Sequence, residues 1–96
     1  MIAGFSDDMT RDLFRLMLSA KVRRFPAEVR KRARNKLYVL DSATSLSDLK
    51  AVPGNRLEAL TGDLAGYHSI RIIDQWLVVF KWEGNNAREV RIMDYH

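Results

Sequence analysis

Apolar residues recur at helical spacing through the first half of the chain. The repeating positions in the N-terminal stretch are Met9, Leu13, Leu16 and Met17. Residues 6–8 supply side-chain oxygens and negative charge for a helix N-terminus. A second helix is predicted to begin at Pro26, whose fixed φ suits a first helical turn. Its apolar side comprises Val29, Ala33, Leu37, Leu40 and Thr44. We therefore expect two antiparallel helices joined around residues 20–25, with one further turn at 45–49.

After Pro53 the pattern changes to the period of a β-sheet. Residues 57–60 form a short apolar segment, and the strand candidates that follow it are residues 68–73, 76–82 and 87–93. Between the last two, Gly84-Asn85-Asn86 predicts a hairpin turn, because glycine and asparagine tolerate positive φ. The short connections favour an antiparallel meander. Residues 1–5 are expected to add an edge strand.

The sequence therefore predicts a single α+β domain over residues 1–96, with a helical hairpin packed on one face of a twisted antiparallel sheet. The strand residues expected to meet the helices are Ile70, Ile72, Trp76, Val78, Phe80, Val90 and Ile92. The opposite face, called the open face below, is expected to carry Arg71, Leu77, Val79, Lys81, Glu89, Arg91 and Met93. Each large apolar side chain buried under the helices contributes about 1.5–3 kcal/mol.

Positive charge is concentrated in one segment. The whole chain has a net charge of +4, but residues 21–36 hold eight basic residues against Glu28 alone, a local charge of +7. A concentrated positive field attracts polyanions, and arginine binds phosphate bidentately. Arg30, Lys31 and Arg34 point away from the apolar stripe, so this run fits a ribosomal RNA contact, an acidic partner or a solvated face.

Several classes of chemistry are excluded by composition. The absence of cysteine excludes a disulfide framework, a thiolate metal site and a catalytic thiol. Two histidines are too few for a histidine-rich metal cage, and the chain lacks a phosphate-binding glycine loop and the common hydrolase motifs. No apolar run approaches the roughly 20 residues needed to cross a bilayer. We expect a cytoplasmic protein that uses no metal or cofactor and contacts no membrane.

Three groups capable of hydrogen bonding or proton transfer follow the last predicted strand, at Asp94-Tyr95-His96. Imidazole titrates near neutral pH, and a phenol beside arginines donates a hydrogen bond or stacks on a base. Metal-free RNA cleavage needs a base for the 2′-OH, cations for the phosphorane and an acid for the leaving 5′-oxygen. The open face and this cluster contain those groups. The alternative is a frayed polar tail.

Four segments together resemble the HigB-type branch of the RelE toxin superfamily, the plasmid-maintenance killer toxins of bacterial toxin–antitoxin systems. They are GNRLEALTGD at 54–63, GYHSIR at 66–71, DQW at 74–76 and DYH at 94–96. The resemblance covers roughly the C-terminal half, and the helical first half is compatible in length and layout. It implies a RelE-like fold.

The same resemblance implies a toxin that arrests translation and growth. Its activity would be that of a ribosome-dependent mRNA endonuclease, or mRNA interferase, cutting transcripts through a 2′,3′-cyclic phosphate. Its partners would be the ribosome, mRNA and a cognate helix-turn-helix antitoxin. That antitoxin neutralises the toxin and represses their operon, so operator DNA is contacted only through the antitoxin complex.

The resemblance also assigns roles to residues of this chain. Asp94, Tyr95 and His96 match the C-terminal active-site triplet. His96 is expected to transfer a proton as acid or base, Tyr95 to position the base or phosphate, and Asp94 to orient His96. Glu58 is a further candidate base. Arg56 and Arg71 match positions that are basic in similar proteins, and these two, together with Lys81 and Arg91 of the open face, are expected to contact RNA.

Three positions depart from the family pattern. Leu77 stands where the family motif QWR has arginine, Thr61 replaces a common lysine, and Glu58 replaces a common histidine. Losing one charge-assisted phosphate contact costs about 1.5–3 kcal/mol. The departures leave two readings open. Other cations of the open face fill the gap, or the protein is an attenuated or non-catalytic member that acts through antitoxin binding and operon co-repression. A simple RNA-binding sheet is disfavoured, because the open face presents Leu77 and Val79 where such a sheet has aromatics.

Overall fold

The computed structural model describes residues 1–95, in which four α-helices precede a four-stranded sheet. The helices are α1 (Asp8–Phe14), α2 (Ala20–Arg24), α3 (Ala27–Ser42) and α4 (Leu46–Ala51). The strands are β1 (Glu58–Ala59), β2 (His68–Ile73), β3 (Trp76–Glu83) and β4 (Asn86–Asp94). A 3₁₀ turn at Gly62–Leu64 lies between β1 and β2. The predicted α+β architecture is confirmed.

The helices begin where the sequence supplies caps, but α1 ends earlier than its apolar periodicity predicts. Asp7 accepts a hydrogen bond from the Thr10 amide and caps α1. The C-terminal end is a Schellman motif: the Leu16 amide donates to the Leu13 carbonyl and the Met17 amide to the Asp12 carbonyl. Leu16 occupies its left-handed position, with φ of +61°. The expected continuation of the stripe through Leu16 and Met17 is therefore wrong, and both side chains are exposed.

The long helix α3 follows its prediction more closely. It starts directly after Pro26, and Val29, Ala33, Leu37 and Leu40 are buried along one side. Its last residue is Ser42, so Thr44 lies beyond the helix and is exposed, contrary to the prediction. The expected connection at residues 20–25 itself contains α2, because Ser19 caps a helical turn there.

The sheet has strand order β1-β2-β3-β4, and every neighbouring pair is antiparallel. The predicted N-terminal edge strand forms as two parallel bridges to β4, at Ile2–Ala87 and Phe5–Val90. Further along, the Thr10 hydroxyl accepts the Ile92 amide at 3.0 Å. The outer edge of β4 is thus covered by the first ten residues.

The predicted buried face of the sheet is confirmed, and its side chains share one apolar cluster with the helices. Trp76 is partly buried against this cluster. A bulge in β4 at Glu89, whose φ is +52°, lets Ala87 and Val90 both face the core although they are three residues apart. Val79 lies opposite Ser69 and Arg91 on the open-face register, yet it is buried.

Within residues 1–95, none of the helices is both long enough and apolar enough to span a membrane.

Candidate functional site on the open face

A cavity of about 80 Å³ opens at one end of the open face, where β1, β2, β3 and the residue after β4 meet. Its lining residues are Arg56, Glu58, Leu60, Ser69, Arg71, Leu77 and Tyr95. Four of these, Arg56, Glu58, Arg71 and Tyr95, are predicted site residues. The fold therefore gathers two guanidinium groups, a carboxylate and a phenol from segments separated by up to 39 positions in the sequence.

Arg71 is held on β2 by both its backbone and its side chain. Its amide donates to the Asn55 carbonyl at 2.6 Å, and its Nη1 donates to the Asp74 carbonyl at 2.8 Å. The Arg71 Nε is buried and has no hydrogen-bond partner among the described residues. A buried donor without an acceptor is costly, and an anion in the cavity would supply the acceptor.

Arg56 and Glu58 reach the cavity from the segment that leads into β1. Arg56 has φ of +48°, in the left-handed region, and follows the fully buried Asn55. Glu58 lies directly opposite Ser69 in the β1–β2 register. Both Arg56 and Glu58 are exposed, so each can meet a ligand that enters from solvent.

Asp94 and Tyr95 of the C-terminal triplet lie on opposite sides of the sheet, because successive residues of an extended chain alternate between its two faces. Tyr95 lines the cavity, and its amide donates to the Gln75 carbonyl at 2.6 Å, which ties it to the β2–β3 turn. Asp94 is the register partner of Trp76, on the helix side of the sheet, and does not line the cavity. His96, the predicted proton-transfer group, lies outside the described residues.

Leu77 lines the cavity from β3. It is the direct cross-strand neighbour of Arg71 on one side and of Met93 on the other. The position where the resemblance leads one to expect an arginine therefore makes an apolar wall beside the Arg71 guanidinium.

The other predicted RNA contacts lie elsewhere on the open face. Lys81 is four residues from Leu77 along β3, about 13 Å at the usual rise. Its Nζ pairs with the Glu89 carboxylate at 3.3 Å and lies 5.0 Å from the centre of the Tyr67 ring. Arg91 lies opposite Val79, half-buried and outside the cavity lining. For both residues, contact with RNA stays a prediction.

Glu89 neutralises part of the positive charge at that end of the face. The Tyr67 hydroxyl donates to its Oε1 at 2.9 Å. This hydrogen bond and the one from Lys81 lower the pKa of Glu89, while the Glu89 carboxylate raises the pKa of Lys81. An incoming phosphate at Lys81 would have to compete with Glu89.

The basic run is less solvated than expected, because several of its side chains bind backbone or side-chain oxygens. Arg30 donates to the Phe25 and Arg23 carbonyls, and Arg34 donates to the Leu13 carbonyl. The expectation that Arg30 and Arg34 point away from the packed side is therefore only partly correct, since both are half-buried. Lys31 is exposed as predicted.

Three cavity residues, Leu60, Ser69 and Leu77, were not among the sequence-predicted site residues, although Leu77 was identified as a departure from the family motif. Ser69 alternates in step with Arg71, so the period of β2 contained the signal for it. Leu60 follows β1 and carries no such signal. Within residues 1–95, no group of three or more histidine, aspartate or glutamate side chains is placed to hold a metal ion.

Comparison with solved structures defines the class of fold. A chain of the YoeB–YefM complex from Staphylococcus aureus superposes with a TM-score of 0.60 at 17% identity, covering 100% of this chain and 98% of that one. A heterotetrameric YoeB–YefM toxin–antitoxin complex from the same organism gives the same values.

The family follows from the sequence itself. Residues 4–96 match the HigB-like toxins, described as the RelE-like toxin of the type II toxin–antitoxin system HigB. The chain therefore belongs to this family, as its four motif segments indicate. Toxin HigB-1 of Vibrio cholerae is 42% identical over 60 residues, covering 62% of this chain and 63% of the relative. An uncharacterized protein of Haemophilus influenzae is 28% identical over 67 residues, covering 70% and 66%. The aligned region spans just under two thirds of either relative.

Proposed function

We propose that this chain is the growth-arresting toxin of a toxin–antitoxin pair and that it cleaves mRNA on the ribosome at the open-face cavity. Membership of the HigB-like toxins supports the toxin role. The observation that carries the chemistry is the convergence of Arg56, Arg71, Glu58 and Tyr95 in one cavity.

In this proposal the scissile phosphate binds between Arg56 and Arg71. The Arg71 Nε donates to a non-bridging oxygen, which gives that buried donor its acceptor. As the pentacoordinate phosphorane forms, its extra negative charge strengthens the bonds to both guanidinium groups more than in the ground state. That difference lowers the barrier.

The reaction moves one proton onto the enzyme and one off it. The 2′-oxygen attacks phosphorus and gives its proton to a general base. The bond from phosphorus to the 5′-oxygen breaks, and that oxygen takes a proton from a general acid. The products are a 2′,3′-cyclic phosphate and a 5′-hydroxyl. We assign the two proton transfers to Glu58 and His96, and the positioning of the nucleobase or the scissile phosphate to the Tyr95 phenol.

The partners belong to the same proposal. An antitoxin of the helix-turn-helix class binds the toxin, neutralises it, and brings the complex to operator DNA. The site of action is the cytoplasm, where mRNA and ribosomes are found. One observation favours a second candidate function: the apolar Leu77 beside Arg71 weakens phosphate binding, which suits a member that acts mainly through the antitoxin.

The test is to express the chain without its antitoxin and to map mRNA 5′ ends in a translation extract, with and without ribosomes engaged on the message. We expect growth arrest and new 5′ ends that appear only on engaged messages. Arg71→Gln and His96→Gln should each reduce cleavage by about tenfold or more, because each removes a charge-assisted or proton-transfer contact. Lys50→Gln removes an exposed charge on α4 and serves as the control. Arrest without new 5′ ends, or cleavage equal in all four proteins, would refute this mechanism.

A further inference from the structure

Asn55, the residue before the cavity-lining Arg56, is fully buried and uses both ends of its side chain. Its Nδ2 donates to the Leu49 carbonyl at 3.0 Å, at the end of α4. Its Oδ1 accepts from the Lys36 Nζ at 2.5 Å. The two partners distinguish the amide oxygen from the nitrogen, because the carbonyl can only accept and the ammonium can only donate.

The backbone of Asn55 is also committed. Its carbonyl accepts the Arg71 amide, and its own amide donates to the Val52 carbonyl at 3.3 Å. Asn55 thus connects α3, α4 and β2 in the residue immediately before Arg56. Both cavity arginines are linked to it, Arg56 through the chain and Arg71 through a hydrogen bond.

Lys36 is part of the basic run in the sequence, but its side chain faces the protein interior rather than solvent. It is half-buried, and burial lowers the pKa of its ammonium below the ordinary value. Its one hydrogen bond to Asn55 satisfies an acceptor in a residue that is 0% exposed. A cation in this place acts on the interior rather than on a polyanion in solvent.

We infer that Lys36 and Asn55 are positioning residues that hold Arg56 and Arg71 at the separation the scissile phosphate needs. The inference rests on the proposed function, which makes these two arginines the phosphate ligands. Arg56 has a left-handed backbone that non-glycine residues rarely adopt, and such a conformation persists only where its surroundings enforce it. We assign that enforcement to the hydrogen bonds of the preceding residue, Asn55.

The test compares Lys36→Met with Lys31→Met. Both substitutions remove one positive charge from α3, but Lys31 is exposed, and the side-chain hydrogen bonds of Asn55 within residues 1–95 go to Lys36 and Leu49. On ribosome-bound mRNA, Lys36→Met should lower kcat/KM by about tenfold beyond the effect of Lys31→Met, because it leaves the Asn55 oxygen buried without a donor. Lys36→Arg keeps a donor and should recover most of the loss.

A double-mutant cycle separates positioning from general destabilisation. In the Arg56→Gln/Arg71→Gln background, Lys36→Met should lower kcat/KM by less than about threefold, because both of the groups it positions are already gone. An equal loss in both backgrounds would overturn the inference. So would equal losses in Lys36→Met and Lys31→Met.

A second readout does not depend on activity. Hydrogen exchange of the Arg71 amide, which is bonded to the Asn55 carbonyl, should quicken by about fivefold or more in Lys36→Met. The core amide of Val78 reports global opening and should change by much less. If the wild-type protein neither arrests growth nor cleaves mRNA, the proposed function fails, while this exchange measurement still decides whether Lys36 orders the arginines. Equal changes at Arg71 and Val78, or none at Arg71, would refute the positioning role.

Discussion

Leu77→Arg is the substitution that examines the site most directly. Leu77 lines the cavity and faces Arg71 across the β2–β3 register, so an arginine there brings a third guanidinium to the phosphate proposed to bind between Arg56 and Arg71. A charge-assisted hydrogen bond contributes about 1.5–3 kcal/mol. Because the phosphorane carries more charge than the ground-state phosphate, we expect that gain mainly in the transition state.

Two costs reduce the gain. Like charges directly opposite in a sheet destabilise by about 0.2–1 kcal/mol, and part of the Leu77 contact with its neighbours is lost. After the like-charge cost alone, the benefit to the transition state is about 0.5–2.8 kcal/mol, which corresponds to an increase in kcat/KM of at most about twofold to 100-fold. The free protein, in contrast, should become slightly less stable, because no bound phosphate neutralises the positive charges of Arg71 and the new arginine.

The assay is cleavage of a defined message on purified ribosomes, followed by primer extension, with urea unfolding of the same preparations. Leu77→Lys adds the same charge without the planar fork, and it should gain less than Leu77→Arg. Leu77→Met is the neutral control and should match the wild type. An unchanged or lower kcat/KM in a folded Leu77→Arg protein would show that the phosphate does not bind beside Arg71.

Three further predictions concern the backbone and the open-face ion pair. Leu16→Gly should raise the free energy of unfolding by about 0.5–1.5 kcal/mol in urea titrations, because Leu16 is exposed and holds φ of +61° at the end of α1. Leu16→Ala keeps a Cβ and should therefore raise the free energy of unfolding much less than Leu16→Gly. Equal increases in the two variants would contradict the strain argument. Glu89→Gln should strengthen RNA binding, because it releases Lys81 from its ion pair. The affinity for RNA is measured over a range of salt concentrations, and Tyr67→Phe should have a smaller effect on it. The lowered pKa of Glu89 means that its carboxylate stabilises the fold above about pH 4.5, its ordinary value, and that this advantage over Glu89→Gln is lost as pH falls through the lowered pKa. A stability difference that does not change with pH would refute the ion-pair assignment.

The strands were predictable because their signal is local. Trp76, Val78 and Phe80 alternate with polar or open-face residues, and the period of two assigns each to a face before any contact is known. The bulge at Glu89 was not predictable, since it depends on how β4 pairs with β3 rather than on the residues of β4 alone.

The end of α1 was missed for a physical reason. The apolar period continues through Leu16 and Met17, and no glycine marks the Schellman position. Tertiary packing overrides the period there, and the chain turns toward α2 although leucine is disfavoured in a left-handed conformation.

The candidate site was partly predictable. The family motifs lead to Arg56, Glu58, Arg71 and Tyr95, and the cavity contains all four. The contact between Lys36 and Asn55 was not predictable, because 19 positions separate the two residues in the sequence. They meet only because α3 packs against the segment that leads into β1. The pairing of Lys81 with Glu89 likewise depends on the β3–β4 register.

The position of β4 has a consequence for how the molecule is made. This strand lies between β3 and residues 1–6. Residues 1–6 therefore cannot pair with the sheet until β4, which is synthesised much later, is available. Chains generally fold from the N-terminus as they emerge during synthesis. Here the sheet cannot close until Asn86–Asp94 has emerged, and the cavity that Tyr95 completes forms at the same late moment. In the proposed function, a nascent copy therefore gains its phosphate-binding cavity only after residues 86–95 have left the ribosome.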